Sequence, residues 1–285
     1  MTSIDNAATV DPNGSLGKPD RLPVLFIGHG SPMNAIEDNE YRRSWQALGA
    51  QFGTRWPRPR AILCISAHWL TQGWWLTGMA KPRTIHDFYG FPQALFDQQY
   101  PAPGAPALAD ALSRTLQAPG GSAVGVDSGE WGLDHGAWSV LKPMFPQADI
   151  PVLQLSMDYD RPPAEHYEIG RQLRGLREQG VLIVGSGNIV HNLRAMRWGA
   201  GDEAYDWAVT FDRIVAERIE QGRLDALAPL LELEPQARLA HPTHEHYLPL
   251  LYAAGAAGAE DKAAFFNTGF QGASIAMRSV TWDGA

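Results

Sequence analysis

Four short segments of this chain carry histidine, a side chain that binds metal ions and transfers protons near neutral pH. The segments are Gly28-His29-Gly30-Ser31-Pro32, Ser66-Ala67-His68-Trp69, Asn188-Ile189-Val190-His191-Asn192 and Thr243-His244-Glu245-His246-Tyr247. The first three follow apolar runs at residues 24–27, 61–65 and 181–184. A buried strand fixes the backbone, and the loop after it leaves the imidazole able to bind. The pattern therefore predicts a metalloenzyme.

Strands and helices alternate along the sequence, which predicts an α/β fold. The run at residues 22–27 shows no alternation of polar and apolar side chains, which is typical of a strand covered on both faces. Further strands are expected at residues 61–65, 74–79, 152–157, 181–185, 263–268 and 275–280. Helices are expected at residues 39–52, 105–117, 163–179, 203–221 and 224–231, with shorter ones from Ala137 and from His246. We expect one domain over residues 21–285 with a mixed, mostly parallel sheet, after a mobile tail at residues 1–20.

The predicted strand ends place the histidines at one edge of the sheet. In open α/β sheets, ligands bind beyond the carboxyl ends of the strands. His29, His68 and His191 all lie just past such ends, so the active site is expected there. The connection at residues 81–103 is rich in proline, glycine and aromatic residues. Because long ordered loops in compact domains tend to be functional, we expect this loop to border the site.

Composition excludes several classes of function. The 285 residues carry 31 acidic and 23 basic side chains, a formal net charge of −8, which argues against a nucleic-acid partner. The single cysteine, Cys64, lies in an apolar run and cannot form an intramolecular disulfide, which fits a reducing compartment. No apolar run approaches the ~18 residues of a membrane span, and the first twenty residues do not resemble a signal peptide. We therefore expect a cytoplasmic protein with no membrane partner.

The remaining histidines are harder to assign from the sequence. His135 follows acidic residues, so it fits either a base held by a carboxylate or the start of a helix. Among His241, His244 and His246, only one or two can face a single metal ion. His166, on a predicted helix beside a glutamate, is expected to be exposed to solvent, and His86 is expected to line the aromatic loop.

Taken together, the motifs resemble those of a known family. The chain is similar to the class III extradiol ring-cleavage dioxygenases (the LigB-like superfamily), in the single-chain branch that includes the 4,5-DOPA dioxygenases. The matching segments, from residue 22 to about residue 280, are Gly28-His29-Gly30-Ser31-Pro32, Ser66-Ala67-His68-Trp69, Ile85-His86-Asp87-Phe88-Tyr89-Gly90-Phe91-Pro92, Gly132-Leu133-Asp134-His135-Gly136-Ala137-Trp138, Gly185-Ser186-Gly187-Asn188-Ile189-Val190-His191-Asn192, His241-Pro242-Thr243 and Glu245-His246-Tyr247-Leu248-Pro249-Leu250.

The resemblance implies a set of metal ligands. His29 and His68 match two ligands of the family, and the third falls at Glu245-His246. In the broader class this third ligand is a glutamate, which completes the two-histidine, one-carboxylate face of non-haem Fe(II) oxygenases. In this branch it is histidine, and we assign His246, with His244 and Glu245 as alternatives. Fe(II) is expected for activity, and Zn²⁺ also suits three imidazoles and can occupy the site.

The resemblance also implies the reaction. His191 matches the acid–base histidine of the family, with a fourth metal ligand as the alternative role, and His135 matches a second histidine of the pocket. The expected activity is insertion of both atoms of O₂ into a catechol, which gives a muconic semialdehyde without NADH or flavin. Two other classes remain open at this stage. One is a zinc-dependent hydrolase or lyase in which His191 or Glu245 activates water, and the other is a non-enzymatic protein that binds an aromatic ligand. The sequence leaves the oligomeric state open.

Overall fold

The computed structural model describes residues 21–197, 199 and 203–284, so the predicted tail at residues 1–20 lies outside the described residues. The strands are β1 Val24–Gly28, β2 Ala61–Ser66, β3 Leu70–Thr71, β4 Trp75–Thr77, β5 Gly125–Asp127, β6 Val152–Gln154, β7 Met157–Asp158, β8 Val181–Gly187, β9 Asp261–Phe266, β10 Phe270–Gln271, β11 Ile275–Ala276 and β12 Ser279–Gly284. The helices are α1 Glu40–Gly49, α2 Gln93–Phe96, α3 Pro106–Thr115, α4 His135–Met144, α5 Pro163–Leu173, α6 Asp206–Glu220, α7 Leu230–Leu233, α8 Ala237–Ala240 and α9 Leu248–Ala256. Short 3₁₀ segments lie at Pro32–Ala35, Pro119–Gly121, Arg174–Gln179, Leu193–Ala195 and Leu224–Leu227.

The main sheet has the strand order β6-β2-β8-β1-β12-β9. Strands β6, β2, β8 and β1 are parallel to one another, and β12 pairs antiparallel with both β1 and β9. The three strands that precede predicted site histidines therefore lie side by side, with β8 in the centre. The predicted α/β class with a mixed, mostly parallel sheet is confirmed.

Both faces of the sheet are buried, which explains the continuous apolar runs. Val24 and Phe26 of β1 pack into one core together with α5, α6 and α9. Leu25 and Ile27 point to the opposite core, which α1 and α4 cover. Because successive side chains of a strand point to opposite faces, a strand between two helical layers needs apolar residues at every position.

The predicted elements are found, with several boundaries shifted. The strand expected at residues 152–157 is two strands, because the chain leaves β2 after Gln154 and pairs with β3 from Met157. The strand expected at residues 275–280 is likewise divided between β11 and β12, which have different partners. The helix expected at residues 224–231 is interrupted at Pro229, since proline lacks the N–H that a helix interior requires. Among the described residues, no helix is long and apolar enough to cross a membrane.

A buried ion pair fastens the C-terminal strands to the core. The guanidinium group of Arg177 is fully buried and contacts both carboxylate oxygens of Asp261, which is also buried. Arg177 further donates hydrogen bonds to the carbonyl oxygens of Leu22 and Ala256. The pair therefore joins the start of β1, the end of α9 and the start of the edge strand β9.

Replacement of Asp261 by alanine should lower the free energy of unfolding by about 3–5 kcal/mol, because it leaves a buried guanidinium group without its counter-charge. Denaturation in urea, followed by tryptophan fluorescence, measures the change. Asp149→Ala is the matched control, since the Arg58–Asp149 pair is largely exposed and such pairs contribute about 0–1 kcal/mol. Similar losses in the two variants would contradict this role of the buried pair.

Candidate metal centre

Three histidine side chains converge at the carboxyl end of the central strands. His29, His68 and His246 each offer a ring nitrogen, and these nitrogens all lie within 4.8 Å of one another. The Nε2 atoms of His29 and His68 are 3.3 Å apart. The ring of His246 has its centroid 5.3 Å from that of His29 and 5.0 Å from that of His68. These are the three residues that the sequence reasoning chose as metal ligands.

Strand register places His29 and His68 on either side of β8. Gly28 at the end of β1 pairs with Gly187, and Ser66 at the end of β2 pairs with Ser186. The next backbone amide on each side continues the pairing, since the N–H of His29 donates to the carbonyl of Gly187 at 3.1 Å. Both ligand-bearing loops therefore leave the sheet at the same level, as parallel strands predict.

His246 reaches the site through a close backbone contact with the end of β8. The N–H of Asn188 donates to the carbonyl oxygen of His246 at 2.8 Å. A Cβ atom on Gly187 would lie 2.2 Å from that same oxygen, so only glycine permits the approach. The helix predicted to start at His246 begins at Leu248, and His246 lies in the turn before it.

Two of the three imidazoles have a hydrogen-bond partner on Nδ1. His29 Nδ1 lies 3.0 Å from the hydroxyl of Ser186, whose own proton is donated to the carbonyl of Gly136. The hydroxyl therefore accepts from His29, which leaves the lone pair on Nε2 of that ring. Glu245 Oε1 lies 3.1 Å from His246 Nδ1 and has the same effect. Partners of this kind orient metal-binding imidazoles and fix their tautomer.

The third imidazole, His68, is held by packing and faces a carboxylate. Its Nδ1 lies 3.7 Å from Oδ2 of Asp87. A Cβ atom at Gly136 would lie 2.4 Å from the hydroxyl of Ser66 and 2.8 Å from Cδ2 of His68. Helix α4 can therefore pack against the ring only because residue 136 is glycine.

Burial keeps the three imidazoles neutral. It lowers the pKa of His29, His68 and His246 well below the usual range, and the neighbouring histidines lower the pKa of each further. A neutral imidazole with its Nδ1 held by an acceptor directs the lone pair of Nε2 outward. Three ring nitrogens of neutral imidazoles within 4.8 Å of one another form a donor set that fits a divalent metal ion.

His191 lies against one of these imidazoles. Its ring stacks on that of His246, with centroids 3.4 Å apart and planes 4° apart. A ring nitrogen of His191, a carboxylate oxygen of Glu245 and a ring nitrogen of His246 lie within 4.8 Å of one another. His29 and His68 are not part of this set, and they share His246 with it. Burial, followed by the nearby His241 and His135, lowers the pKa of His191 to about 3. This ring is therefore neutral and lies beside the predicted ligand His246.

His135 begins helix α4 and lies against His68. Its ring centroid is 3.8 Å from that of His68. The N-cap is Asp134, whose carboxylate accepts from the N–H of Ala137 and from Ser66 and Gln154. The carboxylate beside His135 is instead that of Asp87, with Oδ2 2.9 Å from His135 Nδ1.

Asp87 is the residue of this site that the sequence reasoning missed. It accepts a hydrogen bond from the N–H of His135 at 2.9 Å and faces two imidazoles. Burial would raise the pKa of Asp87, but the close contacts of its carboxylate with the ring and the backbone N–H of His135 outweigh burial and lower the pKa to about 2. The sequence places Asp87 and His135 in separate motifs 48 positions apart, so no local pattern joins them.

An aromatic wall stands next to His135. Phe88 packs edge-on against the His135 ring at 5.5 Å and contacts Phe91 and Phe96 at 5.3 and 5.0 Å. His86 packs edge-on against Phe88 and Trp138, as expected for a residue lining this loop. The following residue of the loop, Tyr89, is 92% exposed. The loop thus presents flat apolar surface beside the histidine cluster.

The other histidines lie outside the cluster. His244 stacks on Tyr159 with centroids 4.4 Å apart. The Nε2 of His241 lies 2.7 Å from the carbonyl of Ile189. The prediction that His166 is exposed was wrong, because its side chain is fully buried and its Nδ1 lies 2.7 Å from the hydroxyl of Tyr252. Helix α5 turns His166 inward against α9, and the neighbouring glutamate gave no indication of this.

Known proteins with similar sequence and structure identify the family of this chain. The family model described as the catalytic LigB subunit of aromatic ring-opening dioxygenase matches residues 23–277. The chain is 48% identical to 4,5-DOPA dioxygenase extradiol of Escherichia coli K12, over 91% of this chain and 94% of that protein. It is 36% identical to 4,5-DOPA dioxygenase extradiol of Beta vulgaris, over 93% and 98% of the two chains. A crystal structure of an uncharacterized Escherichia coli K12 protein superposes with a TM-score of 0.78 at 43% identity, covering 92% of this chain and 99% of that one.

The family match extends over almost all of the described residues and includes every histidine of the cluster. Dioxygenases of this family depend on a metal ion, and the three converging imidazoles provide a place for it. The dioxygenase prediction is confirmed, and the hydrolase and binding-protein alternatives are set aside. The chain belongs to the family of the catalytic LigB subunit of aromatic ring-opening dioxygenases, and it is a ring-cleaving oxidoreductase of the extradiol type.

Proposed function

We propose that the protein uses Fe(II), held by the Nε2 atoms of His29, His68 and His246, to open the ring of a DOPA-like catechol. The convergence of these three neutral imidazoles, with His29 and His246 buried and His68 partly buried, carries the proposal. The name of the relatives from Escherichia coli and Beta vulgaris supports DOPA as the first substrate to test. Oxygen is the second substrate.

Three protein ligands leave positions for the substrate on a six-coordinate metal ion. Fe(II) held by these residues would supply a Lewis acid that lowers the pKa of the phenol groups and a redox centre for the reaction of the ring with O₂. Zn²⁺ also binds imidazole but has no redox chemistry. The native metal is therefore a functional question that metal loading can answer.

The chain's own residues handle the protons and the ring. His191, neutral and stacked on His246, is suited to take a phenolic proton from the catechol. His135 lies against His68, where it can hold or return a proton as the ring opens. Phe88, beside His135, provides a flat face against which the ring can lie.

The reaction balances without an added reductant. One catechol and one O₂ give one hydroxymuconic semialdehyde, in which the carbon–carbon bond next to the diol is broken and both oxygen atoms are retained. The electrons that reduce O₂ come from the ring. No NADH or flavin is required, so turnover depends only on protein, metal ion, catechol and oxygen.

Oxygen consumption tests the proposal directly. Metal-free protein is loaded anaerobically with Fe(II) or with Zn²⁺ and then mixed with DOPA, catechol or protocatechuate in aerated buffer. We expect oxygen uptake only with Fe(II), in step with a new yellow absorbance, and the fastest uptake with the DOPA-like substrate. Full metal loading without oxygen uptake on any catechol would contradict the proposed function.

A further inference from the structure

Asp87 contacts two histidines with different proposed tasks. Its Oδ1 accepts from the backbone N–H of His135 at 2.9 Å, and its Oδ2 lies 2.9 Å from Nδ1 of the same residue. The same Oδ2 is 3.7 Å from Nδ1 of His68. One carboxylate therefore faces the Nδ1 atoms of both imidazoles, whose ring centroids are 3.8 Å apart.

The neighbouring carboxylate cannot take this place. Asp134 directly precedes His135, but its oxygens accept from Ser66, Gln154 and the N–H of Ala137. Its carboxylate is thereby committed to the start of α4. Asp87 is thus the carboxylate that faces the rings of both His68 and His135.

We propose that Asp87 is a shared positioning residue, which directs Nε2 of His68 toward the metal ion and Nε2 of His135 toward the substrate. A carboxylate that faces Nδ1 favours the tautomer of a neutral imidazole with its proton there and its lone pair on Nε2. Ser186 and Glu245 hold Nδ1 of His29 and of His246 by hydrogen bonds of 3.0 and 3.1 Å, whereas Asp87 acts on His68 across 3.7 Å. The proposal rests on the proposed function for the role of His135, whereas its part concerning His68 depends only on metal binding.

The position of Asp87 in the chain adds a consequence for the substrate. The next residue, Phe88, forms the wall that packs edge-on against His135. Asp87 therefore fixes the aromatic wall relative to the metal ligands. Loss of the carboxylate should raise KM as well as lower kcat.

Metal affinity is the first test, because it does not require turnover. Asp87→Asn keeps the size of the side chain and removes its charge, and chelator competition measures the affinity of the metal-free protein for Zn²⁺. We expect affinity about 10–100-fold weaker, the usual effect of losing a partner of a metal-binding histidine. Asp97→Asn is the matched control, since Asp97 is exposed and bonded to Gln93. Unchanged affinity in Asp87→Asn would overturn the part of the proposal that concerns His68.

A double-mutant cycle tests the part that concerns His135. With iron saturating, Asp87→Asn should lower kcat in the otherwise unchanged protein but cause no further loss when His135→Gln is already present. In that same background it should still weaken Zn²⁺ binding. Independent, additive losses of kcat would overturn the link between Asp87 and His135.

A second variant separates positioning from simple folding. Asp87→Glu retains the charge, so it should bind Zn²⁺ more tightly than Asp87→Asn, and equal affinities would overturn the proposal. If Asp87→Asn does not fold, the Zn²⁺ affinity of Asp87→Glu is compared with that of the unchanged protein instead. If the iron-loaded unchanged protein opens no catechol, the proposed function fails while the Zn²⁺ comparison still decides the role of Asp87 at His68.

Discussion

Replacing His246 with alanine should remove stable metal binding and lower ring-opening turnover by at least ~10³-fold. The expected size follows because metal-ion stabilisation of charge contributes several kcal/mol and each 1.36 kcal/mol changes a rate tenfold. His246 provides one of the three converging nitrogens and is 5% exposed. Metal content after dialysis and oxygen uptake with Fe(II) measure the two effects.

The same substitution at His244 provides the control and separates the alternative ligands. His244 stacks on Tyr159 and is only partly buried, so His244→Ala should keep both metal and turnover. Glu245→Gln should retain the metal with weaker binding, because Glu245 contacts Nδ1 of His246. If His244→Ala or Glu245→Gln released the metal while His246→Ala kept it, the assignment of the third ligand would be wrong.

The contribution of the sequence differs among the three ligands. His29 and His68 follow buried parallel strands, and strand register alone brings such ends to one edge of a sheet. His246 precedes a helix in a segment with three histidines, and periodicity does not choose among them. The backbone contact at Gly187 brings His246 to the site, and it is a tertiary contact between distant parts of the chain. The family resemblance therefore contributed what local pattern did not.

The supporting residues were the least predictable part of the site. Asp87, Ser186 and Glu245 lie on the Nδ1 side of the imidazoles, and two of them are far in sequence from the ring they face. Serine and aspartate are common in loops for reasons of turn geometry, so their residue type alone does not indicate a role. For His166 the sequence suggested the wrong environment. Its position on a helix beside a glutamate predicted exposure to solvent, but the side chain is buried and hydrogen-bonded to Tyr252.

His191→Ala should lower kcat by about 10²–10⁴-fold, the range that a positioned proton-transfer group contributes. The ring of His191 lies flat on His246 and groups with Glu245 rather than with His29 and His68. The metal content of the variant should therefore remain unchanged, although the rate falls. KM for the catechol should change less than kcat, because the lost interaction concerns a proton that moves during the reaction.

Metal affinity and rate together distinguish this role from that of a fourth ligand. His244→Ala again controls for removal of a nearby imidazole, and the Co²⁺-loaded protein reports the ligand field through its visible spectrum. An unchanged Co²⁺ spectrum with a large fall in kcat would support proton transfer by His191. A changed spectrum with a parallel loss of Zn²⁺ affinity would instead make His191 a ligand, and His135, held beside Asp87, would then be the remaining candidate for the proton transfer.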